Sequence, residues 1–246
     1  YLKSNGIDAS NVFVHPNCHI ITDEHIKRDK EEFAKKLGTT SKGVGPCYSD
    51  KYLRTGLQAK NILPKELLWD QELKGKLLGE AAQGYWLDID QSINYPYVTS
   101  SNTLPYAACS IGFAPQYIRR IFSALKPYET RSGEDPDFPD SLLNDPVLSR
   151  LGDIGKEYGT VTKRRRKTNW LNLDNLIKAI NVSGTTHAIF NKCDVIKELN
   201  VFKLFHNGSL QEFESWADMS IYIKQLITSS CPFVQEVIWS YSPETI

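Results

Sequence analysis

An apolar run, Thr186-His187-Ala188-Ile189-Phe190, breaks off into the polar Asn191-Lys192-Cys193-Asp194. It reads as a compact buried strand that delivers four polar residues at its carboxyl end. The sequence around it alternates strand and helix signals. Leu173 to Val182 has helical spacing and stops at Gly184. Val201 to His206 and Leu210 to Phe213, joined by Asn207-Gly208, predict a hairpin with a primed turn. Ile221 to Ile227 reads as a helix and Val234 to Trp239 as a last strand. Such alternation specifies an α/β sheet domain, and an open α/β sheet binds ligands beyond the carboxyl ends of its strands.

The first half of the chain is less regular. Asn11 to Pro16 reads as a short strand stopped by proline. Thr22 is placed to cap a helix through Leu37, with Gly38 as its stop. Residues 58 to 75 suggest a partly helical connector, and Lys76-Leu77-Leu78 a strand. From Ala114 to Lys126 the residues Tyr117, Ile118, Ile121, Phe122 and Leu125 recur at helical spacing, which predicts a helix. Tyr128 to Arg131 follows as a strand, and the proline-rich, acidic Asp135 to Asp145 as a surface loop.

With 246 residues, 41% of them hydrophobic, the chain can bury a large core. No apolar run approaches the roughly 18 residues needed to cross a bilayer, so no membrane association is expected. Basic and acidic residues balance at 29 each, which argues against a nucleic-acid backbone as the main partner. Five scattered cysteines without a Cys-x-x-Cys pair suit reduced thiols in a cytoplasmic protein and offer no zinc site.

Three segments carry chemistry. Gly38-Thr39-Thr40-Ser41-Lys42-Gly43-Val44-Gly45-Pro46, followed by Arg54, combines glycine turns with donors suited to phosphate. In Asn191-Lys192-Cys193-Asp194 a carboxylate can accept from both the ring N–H and the exocyclic amine of guanine. Adenine offers no matching pair of donors, and the lysine stem can lie along the base. Lys163-Arg164-Arg165-Arg166-Lys167 is the only strongly basic run. Guanidinium forks suit planar carboxylates and phosphates, although such a run is equally able to be a solvated face or a nucleic-acid patch.

Together with Glu80-Ala81-Ala82-Gln83-Gly84-Tyr85-Trp86-Leu87-Asp88 and Tyr95-Pro96-Tyr97-Val98-Thr99-Ser100-Ser101-Asn102-Thr103, these segments resemble the adenylosuccinate synthetase family. The resemblance implies one family domain over residues 1–246, with a P-loop-NTPase-like mixed or parallel sheet flanked by helices. It implies GTP-dependent joining of L-aspartate to IMP, in purine nucleotide biosynthesis, and a cytoplasmic homodimer. The implied IMP-binding residues are Thr40, Arg54, Gln83, Thr99 and Arg164, with Arg54 reaching the neighbouring subunit's IMP. The implied aspartate loop is Thr160, Val161, Thr162, Lys163, Arg164, Arg165 and Arg166, with Arg165 less directly engaged. GTP is assigned to Arg166, Lys192, Cys193, Asp194, Ser240, Tyr241 and Ser242.

The chain departs from the family pattern at Ala81, Val161, Lys163, Ser242 and Thr245, where the family has glycine, threonine, glycine, glycine and arginine. The short stretch between Arg54 and Gln83 resembles compact archaeal, phage or viral forms. The family's Gly-Asp-Glu-Gly-Lys-Gly-Lys phosphate loop and its Gly-His-Asn-x-Gly-His segment have no counterpart here. Since the chain opens on Tyr1, the sequence is expected to begin part-way into the natural protein. The catalytic aspartate and histidine and the Mg²⁺ ligands are then expected upstream, so no catalytic or metal residue is assigned. Two rivals accompany this reading. One is a phage-type 2-aminoadenylosuccinate synthetase acting on dGMP, although Asp194 favours guanine as the donor base. The other is a non-catalytic nucleotide- or nucleic-acid-binding protein.

Overall fold

A computed structural model describes residues 3–69, 71–160 and 163–244. The chain forms two compact units: one comprises Tyr1–Glu80 with Thr99–Ser101, the other Ala81–Val98 with Asn102–Ile246.

The first unit is built on one long helical run. It comprises helix α1 (Asp23–Arg28), a π-helical segment (Asp29–Phe33) and helix α2 (Ala34–Leu37). Thr22 caps it as the sequence predicts: its hydroxyl accepts from the His25 N–H, while the His25 ring accepts from the Thr22 N–H at 2.9 Å. Gly38 ends the run in the left-handed region at φ 65°. Helix α3 (Val44–Leu53) follows the glycine loop. Its Asp50 holds His25 and Arg28, each at 3.1 Å, which locks α3 to α1. Two expected strands do not form. Asn11 to Pro16 contributes only a single bridge, Val14 to Leu68. Leu78 of the expected Lys76–Leu78 strand is 87% exposed; apolar side chains without a sheet to join gain nothing by extending.

The second unit holds the α/β layers. Its strands are β1 (Phe122–Leu125), β2 (Tyr128–Arg131), β3 (Lys167–Asn172), β4 (His187–Phe190), β5 (Phe202–His206), β6 (Ser209–Phe213) and β7 (Glu236–Trp239). One sheet has the order β1-β4-β7, all parallel; the other is β2-β3-β5-β6 and mixed. Helices α4 (Pro146–Ile154), α5 (Leu173–Ser183), α6 (Cys193–Leu199) and α7 (Trp216–Ser230) pack on them. The core joins Leu151, Leu173, Phe190, Ile196, Leu204, Met219, Ile223 and Ile227, each at 0% exposure. The hairpin forms as expected, with Asn207 at φ 52° and Gly208 at φ 69°.

The helix expected over Ala114 to Lys126 is overturned. A 3-10 turn, Pro115–Tyr117, leads into strand β1, which pairs in parallel with β4 from Phe122 opposite His187 to Leu125 opposite Phe190. The apolar spacing fits both periods when a run is short. Pairing with β4 satisfies one edge of this segment's backbone, and Tyr117 and Phe122 remain 72% and 48% exposed, so no helical apolar face is buried. Helix α4, which buries Leu148, Leu151 and Gly152, lies just past the acidic loop. Asp145 caps it by accepting from the N–H groups of Val147 and Leu148, each at 2.9 Å, and Pro146 opens its first turn.

Candidate functional site

In the first unit the glycine loop wraps a buried carboxylate. Asp29, 3% exposed, accepts from the Gly43 N–H at 2.8 Å and the Thr39 hydroxyl at 2.7 Å. Gly43 lies at φ 77°, and a Cβ there would sit 2.8 Å from the Ile26 backbone nitrogen, so only glycine fits. The loop is thereby shaped from behind, while Thr40 on its front is exposed. Arg54 is exposed at the end of α3. Thr99 is half-buried in the 99–101 segment.

The remaining predicted residues belong to the second unit. Gln83 is exposed. Arg54, Gln83, Lys163 and Lys192 all adopt positive φ, at 65°, 73°, 56° and 60°. Non-glycine residues there carry roughly 1–2 kcal/mol of strain each, and such strain concentrates where geometry serves function. The value at Lys163 gives a physical reason for the glycine expected at that position.

The turn after β4 is held by backbone bonds. Asn191 N–H donates to Leu125 at 2.8 Å, Cys193 N–H to the Ser240 carbonyl at 3.1 Å, and Ser240 N–H to Phe190 at 2.8 Å. The turns following β4 and β7 are therefore tied side by side. Cys193 is fully buried, its thiol donating to the Phe190 carbonyl at 3.2 Å, and burial pushes that thiol up to about 12. Its neighbour Asp194, in the first turn of α6, is exposed. Tyr241 is 41% exposed; its hydroxyl accepts from the Trp216 indole at 3.1 Å, and Lys197 lies 5.0 Å from its ring centre. Ser240 is buried and donates to the Ser242 carbonyl at 2.9 Å.

The basic run divides by direction. Thr160, Lys163 and Arg164 are exposed, and Val161 and Thr162 lie outside the described residues. Arg165 turns back onto α4, donating to the Ser149 carbonyl at 2.7 Å and pairing with Asp153 at 2.6 Å. Lys167 pairs with Asp140 at 2.7 Å. Arg166 reaches inward to Glu157 at 2.9 Å.

Glu157 is the residue that sequence reasoning left without a role. Its side chain is fully buried and receives four groups. Oε1 accepts from Tyr128 at 2.8 Å, Lys192 at 3.0 Å and Lys126 at 3.1 Å; Oε2 accepts from Arg166. Burial alone would raise this carboxyl. The Lys126 charge and the donated hydrogen bonds outweigh that and hold it well below the usual carboxylate range. Burial lowers the Lys126 ammonium in turn, against the pull of Glu157. Lys192 also donates to the Gly155 carbonyl. The only signal in the sequence was an acid just before the basic run, at Glu157-Tyr158-Gly159.

Among the described residues no group of three or more His, Cys, Asp or Glu side chains could hold a metal ion. No helix among them is long and apolar enough to cross a membrane.

Comparison with known proteins places the chain in a family. The family described as adenylosuccinate synthetase matches residues 1–77 and 66–226. The adenylosuccinate synthetase of Malacoplasma penetrans (strain HF-2) is 34% identical over 259 residues, covering 83% of this chain and 60% of that protein. The Halothermothrix orenii protein of the same name is 31% identical, covering 96% of this chain and 67% of its own length. Fully ligated adenylosuccinate synthetase from Plasmodium falciparum shares the fold with a TM-score of 0.76 at 22% identity, covering 94% of this chain and 76% of that one. Cyanophage S-2L succinoaminodeoxyadenylate synthetase, bound to dGMP and dATP, does so at 0.64 and 18%, covering 94% and 66%. The chain spans 60% of the first of these curated relatives.

Proposed function

The chain belongs to the adenylosuccinate synthetase family, and we propose that it carries the base-reading and aspartate-binding part of a GTP-dependent ligase joining L-aspartate to IMP. In this reading the γ-phosphoryl group of GTP is transferred to O6 of IMP, which turns that oxygen into a leaving group. The aspartate amine then displaces phosphate at C6. Phosphoryl transfer of this kind depends mainly on positioning and on neutralising charge. The described carboxylates offer no cluster suited to Mg²⁺.

The exposed Asp194 accepts the N1–H and amine of guanine, with the Lys192 stem and the Ser240–Ser242 turn bordering the base. Arg164 and Arg166, with Thr160 and the loop tip, receive the aspartate carboxylates. Thr40, Arg54, Gln83 and Thr99 serve IMP, and Arg54 does so for a second copy of the chain. The observation that carries the proposal is the shared buried carboxylate. Lys192 from the base turn and Arg166 from the basic run both bind Glu157, so two segments read separately from the sequence meet at one point. The pairing of Arg165, Arg166 and Lys167 with separate carboxylates supports a built receptor over a cationic strip for nucleic acid.

Asp194→Ala tests the base assignment. Leaving two guanine donors unpaired should weaken GTP by about 2–4 kcal/mol, read by titration against GTP and ATP. Equal affinity of the unmutated protein for ATP would refute it. The fold shared with the dGMP-bound cyanophage enzyme makes dGMP the second acceptor to compare with IMP.

A further inference from the structure

Lys126, Glu157, Arg166 and Lys192 come from four separate segments: the end of β1, the stretch after α4, the basic run and the turn after β4. The three cations converge on the Glu157 carboxylate, which has no exposure of its own. A buried charge without a partner is strongly destabilising, and this one is satisfied by three cations and a hydroxyl. Three cations on a single carboxylate exceed what neutralisation requires. Two of them, Arg166 and Lys192, are only partly buried, at 31% and 37% side-chain exposure, whereas Lys126 is at 23%. The backbone repeats the link, since Arg166 N–H donates to the Glu157 carbonyl at 2.9 Å.

We propose that Glu157 is a positioning residue: it fixes the Arg166 guanidinium and the Lys192 ammonium relative to one another, so that the basic run and the base turn act as one preorganised receptor. Glu157 touches no ligand and acts through those two side chains. Both have long, rotamer-rich stems, and holding them in place before the ligand arrives removes an ordering penalty from binding. The inference rests on the assignment of Lys192 to the nucleotide and of Arg166 to aspartate and the nucleotide together, and the tests below separate it from that reading.

The primary variant is Glu157→Gln, which keeps shape and an acceptor for Tyr128 but removes the charge. GTP affinity, followed by tryptophan fluorescence, should fall about tenfold or more. Glu157→Gln leaves three cations around a neutral group and can itself lower the melting temperature. The double variant Glu157→Gln with Lys126→Met removes one of them and should recover stability. Positioning predicts that GTP affinity stays about tenfold down in the double variant while the melting temperature returns. Affinity that returns together with the melting temperature overturns the proposal, since charge balance alone would then account for Glu157. Lys126→Met by itself should leave GTP affinity within about twofold; a loss matching that of Glu157→Gln also overturns it.

A second readout needs no nucleotide. NMR signals of the Arg166 guanidinium should show hindered rotation in the wild-type chain and free rotation in Glu157→Gln. Equal mobility in both overturns the positioning role whatever GTP does. A wild-type chain that ignores GTP, yet restrains Arg166 only when Glu157 is present, removes the nucleotide assignment and leaves the tether standing.

Discussion

Gly155 offers a sharp test of how tightly the Glu157 cluster is built. Its φ of −71° is open to any residue, so conformational freedom does not explain it. Space does: a Cβ on Gly155 would lie 2.7 Å from the Tyr128 hydroxyl and 3.2 Å from both the Glu157 Cγ and the Leu151 carbonyl oxygen. The hydroxyl has little room to yield, because Tyr128 is 1% exposed and its OH is bound to Glu157 at 2.8 Å. Overpacking of this kind costs about 1–3 kcal/mol. If the hydroxyl is forced off the carboxylate, the charge-assisted bond adds about 1.5–3 kcal/mol. The smaller unfolded-state entropy of alanine offsets roughly 0.4–1 kcal/mol. Gly155→Ala should therefore destabilise by about 2–4 kcal/mol net, measured by urea unfolding with unchanged m-value. Tyr128→Phe removes the obstructing oxygen, so the double variant should be less destabilised than the two single effects added together, with a coupling of about 1–2 kcal/mol. Additive effects, or a Gly155→Ala protein as stable as wild type, would refute the packing argument. GTP affinity should fall in Gly155→Ala as well, because Lys192 donates to the Gly155 carbonyl.

The neighbouring arginines should behave differently. Arg165→Ala should lower stability by only about 1 kcal/mol, since its Asp153 partner is 56% exposed and screened, and aspartate kinetics in a complete enzyme should barely change. Arg166→Ala should raise the aspartate requirement strongly; three indistinguishable single mutants at Arg164, Arg165 and Arg166 would end the loop assignment. Glu129 supplies a pH test: burial, reinforced by Asp137 and Asp135 and opposed by the Asn172 N–H, lifts its carboxyl from 4.5 to about 7. The folded state then holds a proton that the unfolded state releases, so this contribution is complete below pH 4.5 and lost as pH rises through about 7. It amounts to a few kcal/mol at about 1.4 per unit. Glu129→Gln should match wild type in urea midpoint at pH 5 and exceed it at pH 8; parallel pH profiles would exclude the effect.

Local signals in the chain were enough for those elements whose stabilising partners lie within a few residues: Thr22 and Gly38 bracket the first helical run, and Asn207-Gly208 makes its turn at positive φ. The strand that releases Asn191 to Asp194 has distant partners in β1 and β7, and was legible because its run is apolar throughout and ends abruptly in polar residues. The close approach of Gly43 to the Ile26 backbone was not legible in the same way: the glycines of that stretch read as phosphate-loop turns, and only the fold shows one of them packed against α1. The strand at Phe122 to Leu125 escaped the same logic, because a few apolar residues satisfy two periods and only a parallel partner more than sixty positions away chooses between them. Glu157 escaped it more completely. Nothing near Glu157 in the sequence announces that Lys126, Tyr128 and Lys192 will surround it. Nor does anything in the basic run say that Arg165 faces α4 while Arg166 faces the buried acid. Residue types declare which charges are available; which of them are withdrawn from water, and against what, depends on the folded chain bringing distant segments together, since burial and pairing decide what a charge is worth.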